Sequence, residues 1–433
     1  MSEDNSSISR RKILKATGAA AASGALGVPA VSAQSTEGAS NGLPDGTRVF
    51  MGNNVTFDQD TVSTAKIESS GLEKTSLSNS DLVLVSPKTD LARGKLTTAL
   101  KKGRPIVTVG KQAFDGLLSI VYGLDHDNVE KALKNGRAKE AIDLPYSFGF
   151  EYSDVHESTV AFMVPANGVL NTFRLRSNST SLQTVLSYLG ERLKSKDNLA
   201  VSTQATDTDS NLVVAADICP PGSTGGDEAW NCLGSDALTV SSPCPYGGWD
   251  RTSWGAKLKE TDGNNDWWAW ETKLEIRPSS NVDNNCSSDA WHNDFMTRSI
   301  TFNDGKVKEY GPPTDKNDYS SSKSVGFGLT AGFESVQGSA TLEFSESKSR
   351  SGVTVDSYSG DKDAQVDYDI SIKRGGNVSG EEFIAYLGQR HQTKNNLSST
   401  DYAYDDTWRW YDPNLIGTET HEETDYGTAY WSV

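Results

Sequence analysis

The chain has 433 residues, with 58 Asp and Glu against 41 Lys and Arg, a formal net charge of −17 and a mean hydropathy of −0.52. Such acidity argues against a nucleic-acid binder, whose phosphate contacts need a basic face. Beyond the N-terminus no apolar run reaches the ~18 residues of a membrane-spanning helix, and the length suits two or three domains with their own cores.

The first 33 residues read as an export signal. Arg10 and Arg11 precede a short apolar stretch of small residues that closes on Val31-Ser32-Ala33, the basic, apolar and small-x-small order of a secretory leader. The adjacent arginines resemble the twin-arginine signal, which implies export of an already folded protein. Removal after Ala33 would take four cations and two acids and leave −19. Residues 34–47 are rich in Ser, Gly and Asn and read as a linker.

From 48 to 194 the pattern is α/β. Apolar runs at 81–86 and 105–110 read as strands covered on both faces. Helical spacing follows each, at 91–100 and 114–122, which favours βαβ units and a mostly parallel sheet. Residues 159–164 and 169–175 read as further strands and 182–193 as an amphipathic helix. No phosphate-binding glycine motif accompanies them, so no cofactor is expected. The polar stretch 195–212 reads as a second linker.

From 213 to 433 the composition changes. All ten Trp lie between Trp230 and Trp431, and alternation at 270–276, 299–302 and 366–372 predicts a mostly antiparallel β domain. One short helix is expected at 381–387. Cys219, Cys232, Cys244 and Cys286 fall within 68 residues. An even count in an exported chain predicts two disulfides with three possible connectivities. No C-x-x-C pair occurs, so no metal site is expected. The fold class is therefore α+β, an α/β domain followed by a disulfide-stapled β domain.

One segment stands apart. In residues 324–345, Val325, Phe327, Leu329 and Phe333 alternate with Gly and Thr; after Glu334-Ser335 the phase switches, and Val336, Ala340, Leu342 and Phe344 alternate with Gln, Ser, Thr and Glu. A phase switch at a polar break fits a hairpin whose arms share one apolar face. Each arm of about ten residues would extend ~33 Å, or ~23 Å when tilted, close to the ~25 Å apolar band of a membrane barrel. No Lys or Arg occurs between Lys323 and Lys348. A water-soluble sandwich hairpin carries the same period, because one of its faces meets solvent.

The segment resembles the stem of secreted β-barrel pore-forming toxins of the leukocidin/hemolysin or aerolysin kind. Tyr310-Gly311-Pro312-Pro313 before it and Trp408-Arg409-Trp410-Tyr411 after it are also similar to that group. The resemblance implies a secreted, non-enzymatic monomer that meets a target-cell membrane, assembles into a homo-oligomer and inserts its stems. One hairpin supplies two strands, and small barrels need about eight, so assembly is obligatory. Trp267, Trp268, Trp270, Trp408, Trp410 and Tyr411 are candidates for membrane or ligand contact, since such rings favour interfaces and headgroups. The alternative is an extracellular binding or adhesion protein using its Trp-rich half. A hydrolase ranks third: G-x-S-x-G and H-E-x-x-H are absent, and His292 and His421 stand merely beside acids.

Overall fold

The computed structural model describes residues 43, 46–53, 55–57, 60–61, 72–123, 146–153, 158–166, 168–177, 181–193, 223–224, 230–242, 245–258, 265–281, 291–312, 314, 318–320, 341–342, 349–359, 364–394, 397–414 and 419–433. The export signal with Arg10 and Arg11, and both expected linkers apart from Leu43, Gly46 and Thr47, lie outside them.

The first half contains β1 (Arg48–Met51), the short β2 (Thr56–Phe57), β3 (Asp60–Thr61) and β4 (Glu73–Lys74), then β5 (Leu82–Val85), α1 (Arg93–Lys101), β6 (Ile106–Val109), α2 (Ala113–Tyr122), β7 (Ser147–Ser153), β8 (Val160–Ala166), β9 (Val169–Arg176) and α3 (Leu182–Leu193). Every residue of β5 and β6 is buried because helices cover both faces. Leu82, Leu84 and Val107 pack with Val185, Leu186 and Leu189 of α3. Val83, Val85 and Ile106 pack on the other face with Leu96 and Leu100 of α1 and Leu117 and Val121 of α2. Alternate side chains of one strand thus enter two different cores.

Most strand pairs of this sheet are parallel, as expected, but β8 makes it mixed. β1, β5 and β6 pair in parallel, but β8 runs antiparallel to both β6 and β9. The return from β8 to β9 needs only a tight turn at Gly168, whose φ is +82°, so no crossover helix intervenes.

The second half is nearly all β. It contains β10 (Ser223–Thr224), β11 (Trp230–Ser241), β12 (Gly248–Leu258), β13 (Asn265–Arg277), β14 (His292–Phe302), β15 (Lys306–Gly311), β16 (Asp318–Ser320), β17 (Thr341–Leu342), β18 (Ser349–Ser351), β19 (Val353–Ser359), β20 (Gln365–Ile372), β21 (Phe383–Lys394), β22 (Ser399–Tyr411) and β23 (Thr420–Ser432). The helix expected at 381–387 is strand β21 instead. Phe383, Ala385 and Leu387 point into the core, and β21 pairs along twelve residues with β13. A period of two and a long partner override the local helical spacing.

The two halves join at a fork. Residues 169–170 of β9 pair in parallel with 147–148 of β7, whereas residues 172–176 pair in parallel with 236–240 of β11. One strand edge thereby feeds two layers. Layer one runs β9-β11-β12-β13-β21-β15, and layer two runs β9-β7-β23-β22-β14-β20-β19. A bulge in β11 between Cys232 and Gly234 eases the split. Gly234 has φ +96°, and a Cβ there would sit 2.5 Å from the Leu170 carbonyl, so only glycine fits.

The core between the layers is rich in aromatic rings. It includes Trp249, Trp268, Trp270, Trp408, Trp410 and Trp431 with Met296, Ile300 and Tyr368. At roughly 25 cal/mol per Å² and 150–250 Å² per ring, each buried aromatic supplies several kcal/mol against unfolding.

Candidate functional site

Layer one ends at β15 and layer two ends at β19. In chain order the candidate stem lies between these two outermost strands. The chain leaving β15 is fastened to β19 first. The Thr314 hydroxyl donates to the Ser357 carbonyl and accepts from the Ser357 amide, both at 3.0 Å. The Ser357 hydroxyl donates to the Pro312 carbonyl at 2.8 Å. Nearby the Tyr368 hydroxyl of β20 donates to the Gly388 carbonyl of β21 at 2.9 Å, linking the two layers across the core.

Beyond that fastening, β16 and β18 form an antiparallel ribbon with Asp318 opposite Ser351, Tyr319 opposite Arg350 and Ser320 opposite Ser349. Residues 320 and 349, which flank the 28-residue stretch 321–348, are therefore direct partners. This is the base that a hairpin requires. Val325, Phe327, Leu329, Phe333, Val336, Ala340 and Phe344 lie outside the described residues. Leu342 is in β17, which pairs antiparallel with β10, Leu342 opposite Ser223 and Thr341 opposite Thr224.

The aromatic contact candidates are placed differently from expectation. Trp268, Trp270, Trp408 and Trp410 are at most 1% exposed, Tyr411 is 5% and Trp267 is 9%. Trp249 and Trp408 stack with centroids 3.8 Å apart and planes 10° apart. The Trp268 indole donates to the Thr393 hydroxyl at 2.9 Å, and Trp410 donates to the Arg277 carbonyl at 2.9 Å. Alternation explains the correction: residues 268 and 270, like 408 and 410, share the inward side of their strands, so their rings fill the sandwich. The Tyr411 hydroxyl accepts from the Gly375 amide at 2.7 Å and donates to the Ser379 hydroxyl at 3.3 Å.

Cys232 is disulfide-bonded, and no cysteine among the described residues is free. Cys219, Cys244 and Cys286 lie outside them. No group of His, Cys, Asp and Glu that could hold a metal occurs among the described residues, and no described helix is long and apolar enough to cross a membrane, which says nothing of strands. The two histidines have packing roles. His421 stacks on Tyr246 with centroids 3.4 Å apart. His292 stands edge-on to Tyr411, and burial holds its pKa below the usual histidine range despite Asp412.

Sequence reasoning missed a buried charge cluster near the fork. Glu151 of β7, Arg251 of β12, Arg298 of β14, Asp406 of β22 and Asp425 of β23 are all fully buried. Arg251 Nη1 contacts Asp406 Oδ2 at 2.8 Å and Asp425 Oδ2 at 2.6 Å, and its Nε reaches Glu151. Arg298 reaches Glu151 at 2.6 Å and Asp406 at 2.7 Å. The Tyr402 and Ser253 hydroxyls donate to Glu151 Oε1 at 2.8 and 2.9 Å. Burial alone would raise Glu151, but Arg251 and Arg298 outweigh it and hold the carboxyl down at about 2. Burial dominates at Asp406 and pushes it up to about 6 against the same two guanidiniums. The readable signal was a charged residue at an inward position of an alternating strand, as in Trp249-Asp250-Arg251.

No family model matches the chain, and no curated protein matches it. Among solved structures it is similar to a chain titled pore forming protein, at 11% identity and a TM-score of 0.27, covering 45% of this chain and 90% of that one. It is also similar to Clostridium perfringens delta-toxin, at 9% identity and 0.28, covering 46% and 89%. A third likeness is to the Clostridium perfringens NetB toxin in the membrane inserted form, at 7% identity and 0.21, covering 45% and 93%. These likenesses concern β-rich architecture only.

Proposed function

We propose that the chain is an exported, non-enzymatic pore-forming protein whose 324–345 hairpin enters a target-cell membrane after several copies assemble. The observation that carries this reading is the ribbon of β16 and β18, which in chain order lies between the outermost strands of the two layers. It brings the ends of a cation-free, alternating segment together, so the segment could extend without breaking either layer. A hairpin with apolar residues on one face satisfies its backbone in hydrocarbon only when neighbouring copies close the edge. The twin-arginine leader and two disulfides complete the proposal for an extracellular protein. The adhesion alternative loses its main support, because the rings it would use are buried.

The test is dye release from liposomes. Thr224→Cys with Thr341→Cys would tether the second arm of the hairpin to β10 through a residue pair that already faces across strands. Release is expected to vanish on oxidation and return on reduction, with the unmodified protein plus reductant as control. Release by the oxidised variant equal to that of the unmodified protein defeats the proposal. A charge placed on the apolar face, Leu329→Lys, should also suppress release, since a midplane Lys costs about 2–4 kcal/mol in a barrel.

A further inference from the structure

Helix α1 and the turns around it carry a local excess of positive charge. Residues 88–115 hold Lys88, Arg93, Lys95, Lys101, Lys102, Arg104 and Lys111 against Asp90 and Asp115, a local +5 that leaves −22 on the rest of a chain whose total is −17. Packing uses only one side of the helix. Leu96, Ala99 and Leu100 are buried against the sheet, while Lys95, Lys101 and Lys102 are exposed, as is Lys88 just before the helix.

Two open clefts flank α1. One, of about 360 Å³, is lined by Lys88, Thr89, Leu91, Arg93 and Ser119 among others. The other, of about 320 Å³, is lined by Ser78, Lys95, Thr98, Lys102 and Arg104 among others. Arg104 is held at its cleft by donating to the Leu77 and Ser78 carbonyls, both at 2.7 Å. Those partners fix the guanidinium without cancelling its charge.

We infer that the α1 face is a docking surface for anionic lipid headgroups. Its cations lie on both sides of a helix about 10 Å wide, a layout that meets several fixed negative charges at once rather than caging one ligand. Charge complementarity also orients the molecule: an anionic bilayer repels the −22 elsewhere and attracts this face. The inference takes only the membrane destination from the preceding proposal and places the first contact on the α/β half, away from the stem.

Flotation of the full chain with vesicles tests it, using phosphatidylcholine alone or mixed with phosphatidylserine, at low and high salt. Binding is expected only with phosphatidylserine and only at low salt. Lys95→Ala with Lys102→Ala should weaken it about thirty-fold, at about five-fold per cation, whereas Lys95→Arg with Lys102→Arg should retain it. Equal binding to both vesicle types, or full binding by the alanine variant, overturns the inference. So does capture by a soluble anionic polysaccharide with vesicles ignored. Circular dichroism checks that the variants are folded. Dye release scored in the same samples separates the two readings. Charge-dependent binding without release defeats the stem alone, and release with charge-independent binding defeats the headgroup surface alone.

Discussion

Two parts of one interior are built from different materials. Around Trp249 and Trp408 the layers meet through stacked rings. Two residues along the same strands, at Arg251 and Asp406, they meet through ions. Rings bring stability in proportion to the area they hide and tolerate small shifts. Buried ions give little net stability but make a wrong register expensive, because any slip strands a charge. The rings hold the layers together, and the ions fix how β7, β12, β14, β22 and β23 line up beside the fork.

That contrast can be broken in order of size. The largest effect belongs to Arg251→Met, which takes a buried cation from Asp425 and leaves Glu151 and Asp406 to share Arg298. We expect a loss of about 5 kcal/mol, at the top of the range for orphaning a buried charge, read as a fall in the urea midpoint. Trp408→Ala should cost about 4 kcal/mol from lost burial and cavity formation. Adding Asp406→Asn to the arginine variant should recover part of its loss but none of the tryptophan variant's, and equal recovery in both would erase the distinction.

Acidity sharpens it further. Burial pushes Asp406 up to about 6 in the fold, above the ~3.9 of an unfolded Asp. Between these values the folded chain holds more protons at this site, so stability from Asp406 falls as pH rises from about 4 to 6. Glu151 has the opposite sign: held at about 2, it stabilises above about pH 4 and loses that contribution below. Urea midpoints measured across pH should show that Asp406→Asn flattens the segment between about 4 and 6, an effect of about 2–3 kcal/mol.

The smallest change is expected outside the core. Asp294 receives Arg374 at 2.8 Å and Arg409 at 2.6 Å, but both guanidiniums are about a third exposed. Burial raises its carboxyl, and the hydrogen bonds from Arg374 and Arg409 outweigh that and hold it below the usual range. Solvent screening limits the gain, so Asp294→Asn should cost less than about 1 kcal/mol.

Legibility followed how many neighbours a segment needed. The runs at 81–86 and 105–110 were readable because strands covered on both faces are apolar throughout. Residues 182–193 were readable from their helical stripe. The run at 381–387 holds five consecutive apolar residues, and so short a run does not separate helix from strand. Strand β7 went unread although Phe148, Phe150 and Tyr152 alternate. Its companion Glu151 has meaning only beside Arg251 and Arg298, which come from distant strands. The alternation at 324–345 is visible in the sequence, but the pairing of residues 318–320 with 349–351 on either side of it is not, because neither three-residue segment is apolar enough to read as a strand.

The divided edge of β9 has a practical consequence for dissecting this molecule. Expressing residues 213–433 alone looks natural from composition, yet it would strip β11 of β9 and β23 of β7. Two rows of amides and carbonyls would then lie open on neighbouring layers, the kind of border that recruits strands from other chains. Aggregates formed by such a fragment would be easy to mistake for the assembly proposed for the whole protein.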